Sequence, residues 1–445
     1  MTKWSLWYHL LVSYFEPFFN LFYLRLESMG KENIPKRKAM IYAPNHQNAL
    51  MDPLAITFTN PRQIVFLTRA DIFSKPLLLK IFTSFKMLPV YRIRDGAENL
   101  KNNERIFNKS VEVLEAKATL ALFAEATHTD KRRLRSLKKA VPRIAFMAEE
   151  KNNFDLDLQI VPVGIYYEDY VHSNTKLFVN YGKPFGIKEY QTLYEENPQK
   201  AYSKFKDKLS ERIKELIIHI EDLEHYHIYD QIRLFYRSTM KSRLGLKGPK
   251  LKHAFAADQK TIKMAEKAFL YGENNIEVFG NQYRRIEQGL KAKGFSLLDF
   301  EQSCMAKTMF ATLVLIIGFP LFLYGFINGF LYYYLSMKFI KGIKDKQFYS
   351  SFKFGIGAIV SPGLFLIQSF IFWAIRGNSL WALYYFISLP ISALLANRYR
   401  YLFISTRKKL KIIVLRTFKP KQYSLIVKSR TSLLDNLDKL FFSEE

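Results

Sequence analysis

Apolar and polar positions follow four different patterns along this chain, and each pattern predicts a different kind of element. Over 4–22, Trp4, Trp7, Leu11, Phe15, Phe18 and Phe22 recur at steps of three and four, which is one face of a helix, and the second face is also aromatic. Such a helix suits the bilayer interface, where ring-shaped, partly polar side chains collect. Glu16, Pro17 and Asn20 interrupt the apolar run and no small-residue cleavage site follows, so an anchor is expected rather than a secretory signal. From 30 to about 195, short β-rich runs at 39–43, 63–68, 119–123, 159–167 and 176–181 alternate with helical stretches such as 99–117, where Ile106, Val113 and Leu114 share an apolar face. That alternation predicts an α/β fold, a largely buried sheet flanked by helices. From 196 to 305 the chain turns charged and amphipathic, with Phe205, Leu209, Leu216, Ile217, Ile220 and Leu223 at helical spacing, which predicts a helical subdomain.

The fourth pattern is unbroken apolarity. No charged residue occurs over 308–337, and 354–397 contains only Arg376. A span needs about 20 residues, so the second segment predicts two membrane helices turning at Arg376-Gly377-Asn378. The first segment is too long for one span and too short for two full ones, and Gly318-Phe319-Pro320 offers a break. Lys338, Lys341, Lys344, Lys346 and Lys353 lie between the segments, and Arg398, Arg400, Arg407, Lys408 and Lys409 follow them. Both clusters want the cytoplasmic side, so 308–337 is expected to enter and leave one face as a re-entrant hairpin. The organisation expected is an interface helix over 1–28, an α/β domain over 29–195, a helical subdomain over 196–305, membrane hairpins over 306–398 and a basic cytoplasmic tail over 399–445.

Charge narrows the partners. A net charge of +27 calls for something anionic, and the apolar segments favour an anionic membrane and phosphorylated small molecules over nucleic acid, which explains the charge but not the spans. Cys304 is the single cysteine, which excludes an internal disulfide or a multi-cysteine zinc site. No metal site is expected, because His225 and His227 are two apart on a predicted helix and face differently, and His9, His172, His219 and His253 have no partner pattern.

Candidate chemistry concentrates in Asn45-His46-Gln47-Asn48-Ala49-Leu50-Met51-Asp52-Pro53. His46 ends a predicted strand and Asp52 begins a predicted helix, so the turn between them can bring imidazole and carboxylate together. A positioned histidine removing a hydroxyl proton contributes about 10²- to 10⁴-fold, and a carboxylate beside it fixes the tautomer and favours the imidazolium. Asp52 before Pro53 also reads as a helix N-cap, which need not exclude the catalytic reading. No G-x-S-x-G elbow is present, so direct attack by a substrate hydroxyl is simpler than an acyl-enzyme. Further along come Leu88-Pro89-Val90-Tyr91-Arg92, then Leu122-Phe123-Ala124-Glu125-Ala126-Thr127-His128-Thr129-Asp130, then Lys131-Arg132-Arg133. Guanidinium forks pair well with a phosphate ester, which favours a substrate role for Arg92, whereas Lys138 and Lys139 read as solvated surface.

In this order, His46 to Asp52, Val90-Tyr91-Arg92, Phe123-Ala124-Glu125-Ala126 and Ile160-Val161-Pro162-Val163-Gly164 resemble the four motifs of the PlsC-type phospholipid/glycerol acyltransferases, over about residues 30–190. The resemblance implies a glycerolphosphate acyltransferase-like sheet flanked by helices, with His46 as base and Asp52 as its partner. Arg92 and Glu125 would hold the glycerol-phosphate acceptor, with His128, Lys131, Arg132 and Arg133 as further binding groups, and Pro162 would lie near the acyl donor. The donor would be acyl-CoA or acyl-carrier protein, with no further cofactor, and the catalytic domain would work on the cytoplasmic face of a membrane. The sequence departs from the family in having five residues between His46 and Asp52 instead of four, Ala124 and Ala126 in place of proline and glycine, and His128 in place of arginine. These departures and the C-terminal apolar segments look more like the fungal-type glycerol-3-phosphate acyltransferases and bacterial relatives, which favours glycerol 3-phosphate over lysophosphatidate as acceptor. A non-catalytic lipid-surface scaffold is the rival reading, and it has no need of His46, Asp52, Arg92 and Glu125 together.

Overall fold

The computed structural model describes residues 2–73, 76–91, 102–125, 127–269, 273–301 and 304–442, and the chain folds as two compact units. The first comprises Met1–His219 and Gly342–Phe354; the second comprises Ile220–Lys341 and Gly355–Glu445.

The first unit is built on a sheet whose strands are β1 (Arg25–Met29), β2 (Met40–Pro44), β3 (Ile64–Arg69), β4 (Met87–Val90), β5 (Thr119–Ala121), β6 (Gln159–Tyr167) and β7 (Lys176–Tyr181). Among the described residues their order is β1-β7-β6-β2-β5-β3-β4, and of the paired strands only β6 and β7 run antiparallel. Every residue of β2 is buried, as expected of a central parallel strand covered on both faces. The helices are α1 (Leu6–Phe22), α2 (Met51–Thr59), α3 (Pro76–Ser84), α4 (Asn102–Glu115), α5 (Ala140–Lys151), α6 (Gln191–Glu196) and α7 (Pro198–Lys214), with α12 (Tyr349–Gly355) reaching this unit from far along the chain. Ile41, Val65 and Leu120 meet Leu114 of α4, Ile144 and Phe146 of α5 and Phe205 and Leu209 of α7 in one core. α1 packs Phe19 against Phe58 of α2, with ring centroids 4.8 Å apart, and leaves Trp4, Trp7 and Leu10 exposed beside it. The expected interface helix therefore has one face docked and one apolar face outward.

Two expectations for this unit need correction. β4 forms at Met87–Val90, where no strand was expected; it is an edge strand, the position at which Pro89, with no N–H to donate, is tolerated. The helix expected to run on through Leu223 stops at Lys214, because Leu216 leaves it to lie over β6. There the Leu216 carbonyl oxygen sits 2.0 Å from where a Cβ on Gly164 would stand, so only glycine fits at that point of the strand.

The second unit is helical: α8 (Tyr226–Arg243), α9 (Leu251–Phe269), α10 (Glu273–Lys291), α11 (Met305–Lys341), α13 (Ser361–Arg376), α14 (Ser379–Phe418) and α15 (Pro420–Phe442). Arg233 of α8 and Asp258 of α9 are both buried and meet at 2.5 Å, with Arg237 on the other carboxylate oxygen at 2.7 Å. Asp258 is held below the usual carboxylate range: its burial opposes this, and the two guanidiniums prevail. Among the described residues three helical stretches are long and apolar enough to cross a membrane: Met305–Lys341, Lys346–Arg376 and Ser379–Phe418. α13 gives way to α14 at the expected turn, with Gly377 left-handed at φ +67° and the Asn378 side chain capping Leu380 and Trp381. The expected hairpin over 308–337 is not formed. Pro320 is absorbed into one continuous α11, and residues 399–442 of the expected basic tail are helical, in α14 and α15.

Candidate active site

Because β2, β5 and β6 are parallel neighbours, the loops leaving their carboxyl ends emerge at the same edge of the sheet, the usual place for a site in such folds. β2 delivers Asn45 and His46, β5 delivers Phe123 to His128, and β6 ends on Tyr167. Asn45 prolongs the strand pairing with its side chain. Its Oδ1 accepts from Ile165 N at 2.7 Å and its Nδ2 donates to Ile165 O at 3.2 Å, which fixes the peptide just before His46.

His46 Nδ1 lies 2.7 Å from Asp52 Oδ2. The Asp52 carboxylate is wholly buried in the first turn of α2, and it also accepts from Gln47 N and Asn48 N, each at 2.7 Å, and from the Tyr167 hydroxyl at 2.7 Å. With every neighbour donating, Asp52 acts as acceptor, so Nδ1 carries the hydrogen and Nε2 is left to take a proton. The Asp52 N-cap reading is corrected in detail: Leu50 occupies the cap, and Asp52, two residues on, ties the preceding loop to the helix N-terminus, where the macrodipole favours a negative charge. Within that loop Ala49 adopts a left-handed φ of +37°. Burial, and then the Asp52 charge, push the Tyr167 hydroxyl well above the ordinary tyrosine value, so it stays a donor.

Phe123 stacks on the His46 ring with centroids 4.2 Å apart, and His128 meets it edge-on at 5.5 Å. Glu125 is buried and joins two loops: Oε1 accepts from His46 N at 2.7 Å and Oε2 from Arg135 N at 2.8 Å. Burial pushes its carboxyl up to about 7; the two N–H bonds oppose the rise and the charge of Asp52 adds to it. Lys131, Arg132 and Arg133 line one narrow cleft together with His46 and Glu125. Arg132 is braced there, donating to the carbonyls of Tyr167 at 2.9 Å and Glu168 at 3.2 Å, with its guanidinium over the Tyr166 ring. His128 Nε2 lies 2.8 Å from Asp345 Oδ2 and its ring meets Phe348 edge-on.

The structure thus gathers His46, Asp52, Glu125, His128, Lys131, Arg132 and Arg133 at one edge of the sheet. Pro162 is elsewhere, in the buried middle of β6 opposite Ala43, under Gly182. Arg92 and Ala126 lie outside the described residues. Sequence reasoning missed Tyr167, Asp345 and Phe348. Tyr167 closes the predicted strand 159–167, so its place at a carboxyl end was a usable signal, whereas nothing local marks residues more than two hundred positions beyond His128.

Residues 25–166 match the family model described as Acyltransferase. Among solved structures, the chain is similar to the 1-acyl-sn-glycerophosphate (LPA) acyltransferase PlsC from Thermotoga maritima, at 20% identity and a TM-score of 0.33, covering 46% of this chain and 82% of that one. No curated protein matches it. The motifs, the sheet edge and the family match fall on the same stretch, so residues 25–166 form an acyltransferase-family domain.

Proposed function

We propose that this chain is a membrane-bound O-acyltransferase that moves a fatty acyl group from an acyl thioester, acyl-CoA or acyl-carrier protein, to a hydroxyl of glycerol 3-phosphate. The observation that carries the reading is the 2.7 Å contact between His46 Nδ1 and a fully buried Asp52, beside a cleft lined by Lys131, Arg132 and Arg133. Nε2 takes the proton as the acceptor oxygen bonds to the thioester carbonyl carbon. The carbon–sulfur bond then breaks, the proton passes from the imidazolium to the departing sulfur, and an ester and a free thiol result. Asp52 steadies the transient imidazolium, and the basic run, with Arg92 as expected from the motifs, faces the acceptor phosphate. The excess of lysines and arginines and the apolar helices support work at an anionic membrane, with the acyltransferase domain on the cytoplasmic face.

His46→Ala should lower acyl transfer by about 10²- to 10⁴-fold while leaving the fold, read by circular dichroism, unchanged. Near-normal turnover in that variant would overturn the assignment. Purified protein offered glycerol 3-phosphate and lysophosphatidate in parallel tests the acceptor, and preference for lysophosphatidate moves the reaction to the second acylation.

A further inference from the structure

A cavity of about 860 Å³ opens in the second unit between the start of α11 and the later half of α14, within the range of roughly 300–1,000 Å³ typical of ligand pockets. Its walls are of two kinds. Ile316 and Phe319 of α11 and Phe403 and Val414 of α14 give it apolar sides, all of them exposed. Lys293, Arg407, Lys411 and Lys419 give it four cations, and none of its lining residues is acidic. Among the described residues these four have no ion-pair partner.

The helix explains how both kinds of wall belong to one groove. Phe403, Arg407 and Lys411 are spaced four apart and so share a face of α14, with about 12 Å along the axis between the first and the last. α14 has no charged residue over 379–397, and its first is Arg398. Tyr399 and Phe403 therefore come where aromatic side chains mark the edge of the hydrocarbon, and Arg407 and Lys411 follow at headgroup depth. The Lys411 ammonium reaches the turn at Gly294, next to Lys293, so Lys293 and Lys411 meet at one end of the groove, with Arg407 one helical turn from Lys411.

We propose that this groove is a binding site for an anionic glycerophospholipid, with an acyl chain along the apolar walls and a phosphate monoester at Lys293, Arg407 and Lys411. A monoester carries about −1.5 to −2 charges at neutral pH, and a zwitterionic headgroup offers the cluster no net charge. Its lining shares no residue with the acyltransferase cleft, and the proposal does not depend on what that cleft does.

The test uses the full-length protein in detergent, titrated with dioleoyl phosphatidic acid or dioleoyl phosphatidylcholine and read by native mass spectrometry. Wild type should retain phosphatidic acid in preference to phosphatidylcholine. Arg407→Glu with Lys411→Glu should weaken phosphatidic acid retention by at least about tenfold, whereas Lys421→Glu with Lys428→Glu, an equal charge change on α15, should leave it unchanged. Arg407→Gln with Lys411→Gln repeats the test with neutral side chains should the reversed charges impair folding. Equal retention of the two lipids by wild type, undiminished retention in the groove variants, or equal loss in the groove and control pairs would each overturn the proposal.

Discussion

At the scale of single residues, the site is a set of buried acceptors surrounded by donors, and its weak points can be named. Tyr167→Phe removes one donor from Asp52 without changing the ring that fills the space. A hydrogen bond to a charged group contributes about 1.5–3 kcal/mol, so kcat should fall about tenfold or more with acceptor KM little altered; unchanged steady-state kinetics would show that Tyr167 does not position the pair. Glu125 predicts a pH effect. Its carboxyl is raised from 4.5 in an unfolded chain to about 7, so the stability it contributes is complete below 4.5 and lost as pH rises through 7. Glu125→Gln cannot titrate, and the deficit in its apparent Tm relative to wild type should be larger at pH 5 than at pH 8; a constant deficit refutes this. The His46–Asp52 pair was legible in sequence because six positions separate its members across a single turn. Tyr167 is 115 positions from Asp52, and only the pairing of β6 with β2 brings it there.

Among the elements, position in the sheet decided what the hydrophobic pattern revealed. The five strands predicted from β-rich runs correspond to β2, β3, β5, β6 and β7, most of them buried on both faces and therefore apolar along their length. β1 and β4 stand at the edges, where one-sided burial and a proline blur the signal. Gly164 shows the reverse case: the motif marks a glycine, and the approach of Leu216 gives the reason. Gly164→Ala would drive a Cβ into backbone that has no rotamer with which to move aside. It should destabilise the domain by at least about 1–3 kcal/mol in denaturant unfolding, and a variant as stable as wild type would show that Leu216 yields. The helix mistakenly carried to Leu223 has the same origin, since the apolar residues after Lys214 serve the sheet and not a helical face. α11 defeated the reading by length: a proline in a long apolar run suggested a break, yet the helix continues through it.

At the scale of the molecule, chain order and spatial order diverge. Gly342–Phe354, which follows α11, belongs with the acyltransferase unit: Asp345 meets His128, Ser350 donates to the carbonyl of Tyr170 at 2.5 Å, and Lys353 donates to that of Val171 at 2.9 Å. Lys344, Lys346 and Lys353 thus fold within the unit that holds His46. Asp345 is nearly half exposed, and an ion pair of that kind contributes about 0.2–1 kcal/mol. Asp345→Ala should therefore raise the acceptor KM by up to about fivefold with kcat held, and an unchanged KM would remove His128 and its partner from acceptor binding. This arrangement also sets an order of events during synthesis. The family-matched stretch ends at residue 166, but a ribosome must translate all of α11 before it adds the thirteen residues of Gly342–Phe354 that complete the neighbourhood of His128. A nascent chain released before that helix emerges would hold the base and its carboxylate yet lack one flank of the site.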